Sequence, residues 1–200
     1  MAEPTPEQQA AIEAFADGGT IVLEAGAGTG KTTTLKLLAA KRPSERGIYL
    51  AYNRAIAESA KKTFPKNVSC STAHSLAYRA VGYQYKSRLD APLMPSYKIA
   101  GILDIAENFS SGRLSLEPFQ LARIAMNTVN FFCKSTDVEI SAIHVPFPDA
   151  FDDPIDQTAL ASFIVPYALV AWEDLQRPDG RLKFDHDHYL NLAFNLPARV

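Results

Sequence analysis

The chain has 200 residues, 47% apolar and 21% charged, with a formal net charge of −2. Such a balance excludes a disordered polyelectrolyte and leaves room for one domain with a sizeable core, or one domain carrying an insertion. The small net charge conceals an asymmetry, because residues 1–30 carry −5, residues 31–88 carry +10 and residues 89–200 carry −7.

In chain order, Thr5 to Phe15 reads as a helix, with Thr5 as N-cap, Pro6 in the first turn and Gln8 three residues after the cap. Asp17-Gly18-Gly19 stops it, and Thr20 to Glu24 reads as an apolar strand. The glycine-rich loop Ala25-Gly26-Ala27-Gly28-Thr29-Gly30-Lys31-Thr32 follows and opens a helix running from Thr33 to Ala40. Gly47 to Tyr52 reads as a second strand, Asn53 to Thr63 as a helix, and Val68 to Ser71 as a short third strand ahead of a helix capped by Thr72. Strands alternating with helices at this spacing predict an α/β fold with a parallel sheet.

From about Gly82 the pattern changes. Helical periods dominate at Ile99 to Phe109, Leu116 to Lys134 and Gln157 to Gln176, separated by Pro-rich breaks at 92–95 and 146–154. The run Ala168 to Asp174 has the look of an apolar strand ending in metal-holding acids. Pro166 and the helical pattern that begins at Ala159 favour a helix instead.

The chemistry concentrates in the loop. Strand, glycine-rich turn and helix N-terminus are the three parts of a phosphate cradle. Gly26, Gly28 and Gly30 let the backbone take positive φ and bring its N–H groups close to an anion, Lys31 supplies charge toward the β- and γ-phosphates, and the Thr32 hydroxyl suits Mg²⁺. The chain is therefore expected to bind a nucleoside triphosphate, with Ala25 to Thr33 forming the site. The basic excess just downstream suggests a polyanion track, although lysines on solvated helix faces give the same composition. No uninterrupted apolar run reaches the ~18 residues a bilayer span needs, and the N-terminus lacks a basic n-region. Cys70 and Cys133 match no metal spacing, so a reduced intracellular protein with no membrane partner is expected, a disulfide being the lesser alternative.

Four blocks in the first eighty residues resemble the UvrD-like superfamily 1 DNA helicases. Thr5-Pro6-Glu7-Gln8 is similar to their Q motif, which implies that the Gln8 amide recognises adenine, with Gln9 as the alternative. The loop is similar to motif I, which usually has Ala at the position of Ala25. Leu50 to Glu58 resembles motif Ia, implying that Tyr52, Asn53 and Arg54 lie against single-stranded DNA; a buried Tyr52 and an Asn53 helix cap are the alternative. Ser71-Thr72-Ala73-His74-Ser75-Leu76-Ala77-Tyr78-Arg79 resembles the T-x-H-S-L-A block, implying DNA-backbone contacts from Thr72 and His74, with Arg79 alongside. Phe184 to Leu192 resembles the H-D-x-Y-L-K-L block of the F-box DNA helicase branch, with Asn191 where Lys is usual. Its D-H-D-H run also invites a metal reading, but histidines at i and i+2 do not share a helix face and Asp185 suits an N-cap.

The resemblance implies a RecA-like P-loop core over 1–82, a mostly helical insertion over 83–180 and a return segment over 181–200. The cofactors it implies are ATP and Mg²⁺. Its implied partners are single-stranded DNA and the remainder of a helicase, including the motif II strand and a second RecA-like domain. The setting it implies is cytoplasmic in a bacterium or phage, nuclear in a eukaryote. On this reading the core is incomplete and the chain alone hydrolyses ATP poorly or not at all. Alternatives are a non-catalytic nucleotide-binding regulator and a P-loop enzyme of another class, such as a small kinase.

Overall fold

The computed structural model describes residues 3–112, 114–148 and 152–195. The end of the expected return segment, 196–200, and part of the Pro-rich break at 146–154 lie outside the described residues. The chain divides into two compact units, residues 1–75 and 76–200.

In the first unit, α1 (Pro6–Ala16) and α2 (Lys31–Lys41) pack together and bury Ile12 and Leu38. Arg42 holds their ends: its guanidinium stacks 4.6 Å from the Phe15 ring centroid and donates to the Phe15 carbonyl at 2.7 Å. A cation at a helix C-terminus satisfies a carbonyl that the helix leaves unpaired. The Asn67 side chain donates to the carbonyls of Arg42 at 3.0 Å and Glu45 at 2.9 Å, anchoring the end of α2 beside the strands. Those strands, β1 (Gly47–Ala51) and β2 (Val68–Thr72), run parallel in a register from Gly47↔Val68 to Ala51↔Thr72. Between them in sequence, α3 (Arg54–Lys61) lays Ala57 and Ala60 on the pair, burying Ala51 and Cys70.

The sequence predicts a third parallel strand at 20–24, and here the structure differs. Residues 20–24 alternate between half-buried and exposed, as a strand does, but make no ladder. A strand needs a neighbour for its backbone groups, and no described strand lies alongside this one. Val22 is largely exposed, as are Ile48 and Leu50 on one face of β1.

The second unit is built on helices. It comprises most of α4 (Ala73–Ala80), a 3₁₀ turn at Gly82–Tyr85, α5 (Lys86–Leu89) and α6 (Ser96–Ile102). A hairpin of β3 (Phe109–Ser111) and β4 (Leu114–Leu116) leads into α7 (Pro118–Cys133), a 3₁₀ turn at Ala142–His144, α8 (Pro154–Gln176) and α9 (His186–Phe194). The central helix is α7, whose Leu121, Ala122, Ala125 and Val129 are fully enclosed against α6, α8 and α9. By length and composition α8 suffices to cross a membrane, but Leu160, Ile164, Ala168, Ala171 and Leu175 form a stripe buried in this core. Pro166 sits on its exposed side, where water can satisfy the carbonyl that a proline leaves without a partner. The run Ala168 to Asp174 is therefore helix.

Two further differences have local causes. The expected helix 99–109 ends at Ile102, because Asp104 takes a left-handed φ of 56° and the Ile105 N–H returns to the Ala100 carbonyl at 3.0 Å. That is a Schellman closure with Asp in the usual glycine position. The residues freed by the stop begin the β3–β4 hairpin, which turns through Gly112 at φ 56°. Arg88, only 8% exposed, braces the end of α8, donating to the Asp174 carboxylate at 3.1 Å and to the Leu182 carbonyl at 2.6 Å.

Candidate nucleotide-binding site

The loop lies between the segment 20–24 and α2, as its glycines require. Gly28 and Gly30 have φ of 78° and 85°, a region open to glycine and costly for residues with a Cβ, whereas Gly26 does not take the positive φ expected of it. Gly30 is the N-cap of α2, so the positive end of that helix faces the loop and the first-turn amides lack side-chain acceptors. Lys31 is exposed and folds back on the loop, with Nζ 2.7 Å from the Ala25 carbonyl and 2.6 Å from that of Gly26. Its ammonium is thus held by neutral oxygens that a phosphate can replace with charge-assisted bonds. Thr29 donates to the Gly26 carbonyl at 2.8 Å and closes the turn, while Thr32 and Thr33 stand exposed at the first turn of α2.

A cavity of about 550 Å³ opens beside the loop, bounded by Gln8 and Ala11 of α1, the stretch 22–25, and Lys31 and Thr34. Its size is that of an ordinary small-ligand pocket. Among the described residues lining it, Lys31 is the sole cation. Glycine geometry, helix terminus, lysine and volume together fit a triphosphate with Mg²⁺, for which Thr32 offers a hydroxyl at the helix start.

Gln8, not Gln9, faces the loop. Gln8 Oε1 accepts the Thr5 N–H at 3.1 Å in a capping box, and Nε2 donates to Thr34 Oγ1 at 3.2 Å. Gln9 points to the exposed face and donates to Glu13 at 2.8 Å. Thr34 is a member of this site that the sequence reading missed, since its partner is 26 positions away. The available signal was its place four residues after Gly30, where a threonine hydroxyl can bond back to the carbonyl.

The pairing Ala51↔Thr72 brings the C-terminal ends of β1 and β2 level, so Tyr52-Asn53-Arg54 and Thr72-Ala73-His74 leave adjacent strands at one edge. Ligands of parallel α/β sheets gather at this edge. Tyr52 is 97% exposed, which removes the buried-core alternative for it, whereas the helix-cap alternative for Asn53 holds: Asn53 Oδ1 accepts the Ile56 N–H at 2.9 Å. Arg54 is exposed at the start of α3, and His74 is exposed in the first turn of α4. Thr72 Oγ1 accepts the Ser75 N–H at 3.1 Å. Arg79 is exposed in the last turn of α4, within the second unit.

In the D-H-D-H stretch, Asp185 caps α9 and its own N–H donates to His188 Nδ1 at 2.9 Å, while His188 Nε2 bonds Asn130 Oδ1 at 3.2 Å. With Nδ1 accepting, His188 is neutral with its proton on Nε2, and burial pushes its pKa down to about 4. His186 turns instead to the Tyr189 hydroxyl at 3.0 Å, so the two rings serve separate partners. Asn191 is buried and accepts from the Asn195 amide at 3.0 Å. Cys70 and Cys133 are both free and buried, and enclosure raises the Cys133 thiol to about 12.

The AAA domain family matches residues 3–108. F-box DNA helicase 1 of Gallus gallus is 32% identical over 198 residues, covering 94% of this chain and 19% of that protein. F-box DNA helicase protein 1 of Schizosaccharomyces pombe is 35% identical over 150 residues, covering 70% of this chain and 17% of its own. The chain thus spans about a fifth of the length of these relatives. No solved structure matches. The chain belongs to the AAA domain family of P-loop proteins, and it is similar to part of these F-box DNA helicases.

Proposed function

We propose that the chain is the ATP-binding part of a superfamily 1, UvrD-like DNA helicase that grips single-stranded DNA along the common edge of β1 and β2. The observation that supports this reading is the Ala51↔Thr72 register, from which the segments carrying the exposed Tyr52, Arg54 and His74 leave adjacent strand ends at the edge where α/β ligands bind. Tyr52 would stack on a base, while Arg54, Thr72 and His74 would meet phosphates, with Asn53 and Arg79 as further contacts.

At the nucleotide site, Lys31 would exchange the Ala25 and Gly26 carbonyls for β- and γ-phosphate oxygens. The amides of the loop and of the first turn of α2 would wrap the tail, Gln8 would meet the adenine edge, and Thr32 would bind the ion. Bound Mg²⁺ supplies charge compensation for phosphoryl transfer. Hydrolysis also requires a further cation on the transferring group, worth ~10³–10⁵ in rate, and Lys31 is the sole cation among the described residues of the cavity. We therefore expect the 200-residue chain to bind ATP with little turnover, and to act as a motor together with a motif II strand and a second RecA-like domain.

The experiment is a salt titration of binding to a fluorescent oligothymidylate. A phosphate-gripping edge gives a log–log slope of about −0.7 per contacted phosphate. No measurable affinity at ~50 mM salt would remove single-stranded DNA from the proposal.

A further inference from the structure

Thr34 is the buried link between α1 and the phosphate loop. It is 6% exposed, and its Oγ1 both accepts from Gln8 Nε2 and donates to the Gly30 carbonyl, each at 3.2 Å. A hydroxyl has a single hydrogen, so giving it to Gly30 leaves only lone pairs facing Gln8. The NH₂ end of the Gln8 amide fits that position and the oxygen end does not. On the other side, the Thr5 N–H donates to Gln8 Oε1 at 3.1 Å, which admits only the oxygen end. Both ends are thereby fixed, and each keeps one bonding position to spare: a second hydrogen on Nε2 and a second lone pair on Oε1.

The spare pair is one donor beside one acceptor. Adenine presents the N6 amino donor beside the N7 acceptor, whereas guanine presents two acceptors, O6 and N7. An amide free to turn over can offer its NH₂ to O6 and so tolerate guanine. One held with its oxygen toward the exocyclic group repels it. Gly30 lies directly beneath: a Cβ there would come 3.4 Å from Gln8 Nε2, so the amide sits against the last glycine of the loop.

We propose that Thr34 is a positioning residue that locks the Gln8 amide in one orientation and so sets the choice of adenine over guanine nucleotides. This rests on the reading of Gln8 as the base-recognising residue. Thr34 is nearly enclosed and its hydroxyl is engaged by Gln8 and Gly30, so it would act through Gln8.

The test is calorimetric titration of ATP, GTP and inorganic tripolyphosphate into the 200-residue chain and into Thr34→Val, Thr34→Ser and Gln8→Ala. The unchanged chain should favour ATP over GTP by about tenfold or more, the scale of one good bidentate base contact. Thr34→Val keeps the shape and removes the hydroxyl, leaving the amide held by the Thr5 N–H alone. It should lower the ATP/GTP ratio several-fold with tripolyphosphate affinity unchanged, whereas Gln8→Ala should bring the ratio to about one. Thr34→Ser should keep the preference. If Thr34→Val does not fold by circular dichroism, Thr34→Ala carries the same comparison. A Thr34→Val protein with the original ratio, beside a Gln8→Ala protein without it, overturns the role of Thr34 and leaves base reading by Gln8 intact. So does a loss of tripolyphosphate binding in Thr34→Val, which would assign Thr34 to the loop. No ATP preference in the unchanged chain, with tripolyphosphate still bound, overturns the reading of Gln8 and this proposal with it.

Discussion

His188 makes the stability of the second unit depend on pH in a direction the structure fixes. Its pKa is held down to about 4 by burial, against an ordinary histidine value of 6.5. Between those values the unfolded chain binds a proton that the folded one refuses, so unfolding becomes easier as pH falls. The stabilising contribution is fully present above the unfolded value and is lost progressively as pH drops from about 6.5 toward 4. A shift of that size corresponds to roughly 3 kcal/mol at 1.36 kcal/mol per pH unit, with about 2 kcal/mol already gone at pH 5. Trp172 is the single tryptophan, its ring centroid 6.3 Å from that of His188, so its fluorescence reports unfolding of this unit. Urea midpoints should be measured from pH 7 to pH 4.5 for the unchanged chain and for His188→Gln. A glutamine at this position can still accept the Asp185 N–H, as Gln8 does for Thr5, but it loses the ring contacts with Phe184 and Trp172. The variant should therefore start less stable, while its stability falls much less with acid. Parallel pH dependences would refute the reasoning, since carboxylates common to both proteins would then account for the slope.

Further expectations concern packing, turn geometry and the proposed DNA edge. A Cβ on Gly180 would stand 2.0 Å from the Asp174 carbonyl and 2.7 Å from Arg88 Nη1, so Gly180→Ala should cost about 1–3 kcal/mol in urea unfolding followed by Trp172; a neutral result would contradict the close approach. Asp104→Gly should add up to about 1 kcal/mol by relieving a left-handed side-chain-bearing residue at the end of α6, and lowered stability would argue against that closure. Tyr52→Ala should lower single-strand affinity by about 1–3 kcal/mol while leaving the urea midpoint unchanged, because the ring is exposed; unaltered affinity would remove the stacking role.

The parts of this molecule legible in the sequence are those fixed by neighbours along the chain. The phosphate loop declares itself through glycine spacing and a lysine at a helix start, and the Thr5–Gln8 and Asp185–His188 capping boxes have their partners three residues apart. The α3 start was readable for the same reason, as Asn53 caps its own helix. What stayed hidden depends on distance or on backbone conformation. The Gln8–Thr34 bond spans 26 positions and the Arg88–Asp174 pair spans 86, and no local pattern announces either. The stop at Asp104 was invisible because Asp usually signals a turn less strongly than glycine in the left-handed position, and the overrun concealed β3. The segment 20–24 carries a strand pattern that side chains alone can write, whereas a ladder also needs a second backbone.

We propose that the turn from Ala25 to Thr32 binds the triphosphate of ATP through Lys31. Calorimetric titration of ATP–Mg²⁺ into the chain and into Lys31→Ala tests it most directly. Saturable one-to-one binding is expected, and Lys31→Ala should abolish it with the urea midpoint unchanged, because the exposed ammonium bonds the Ala25 and Gly26 carbonyls of its own loop. Equal affinity in the two proteins, or no heat of binding in the unchanged chain, would contradict it.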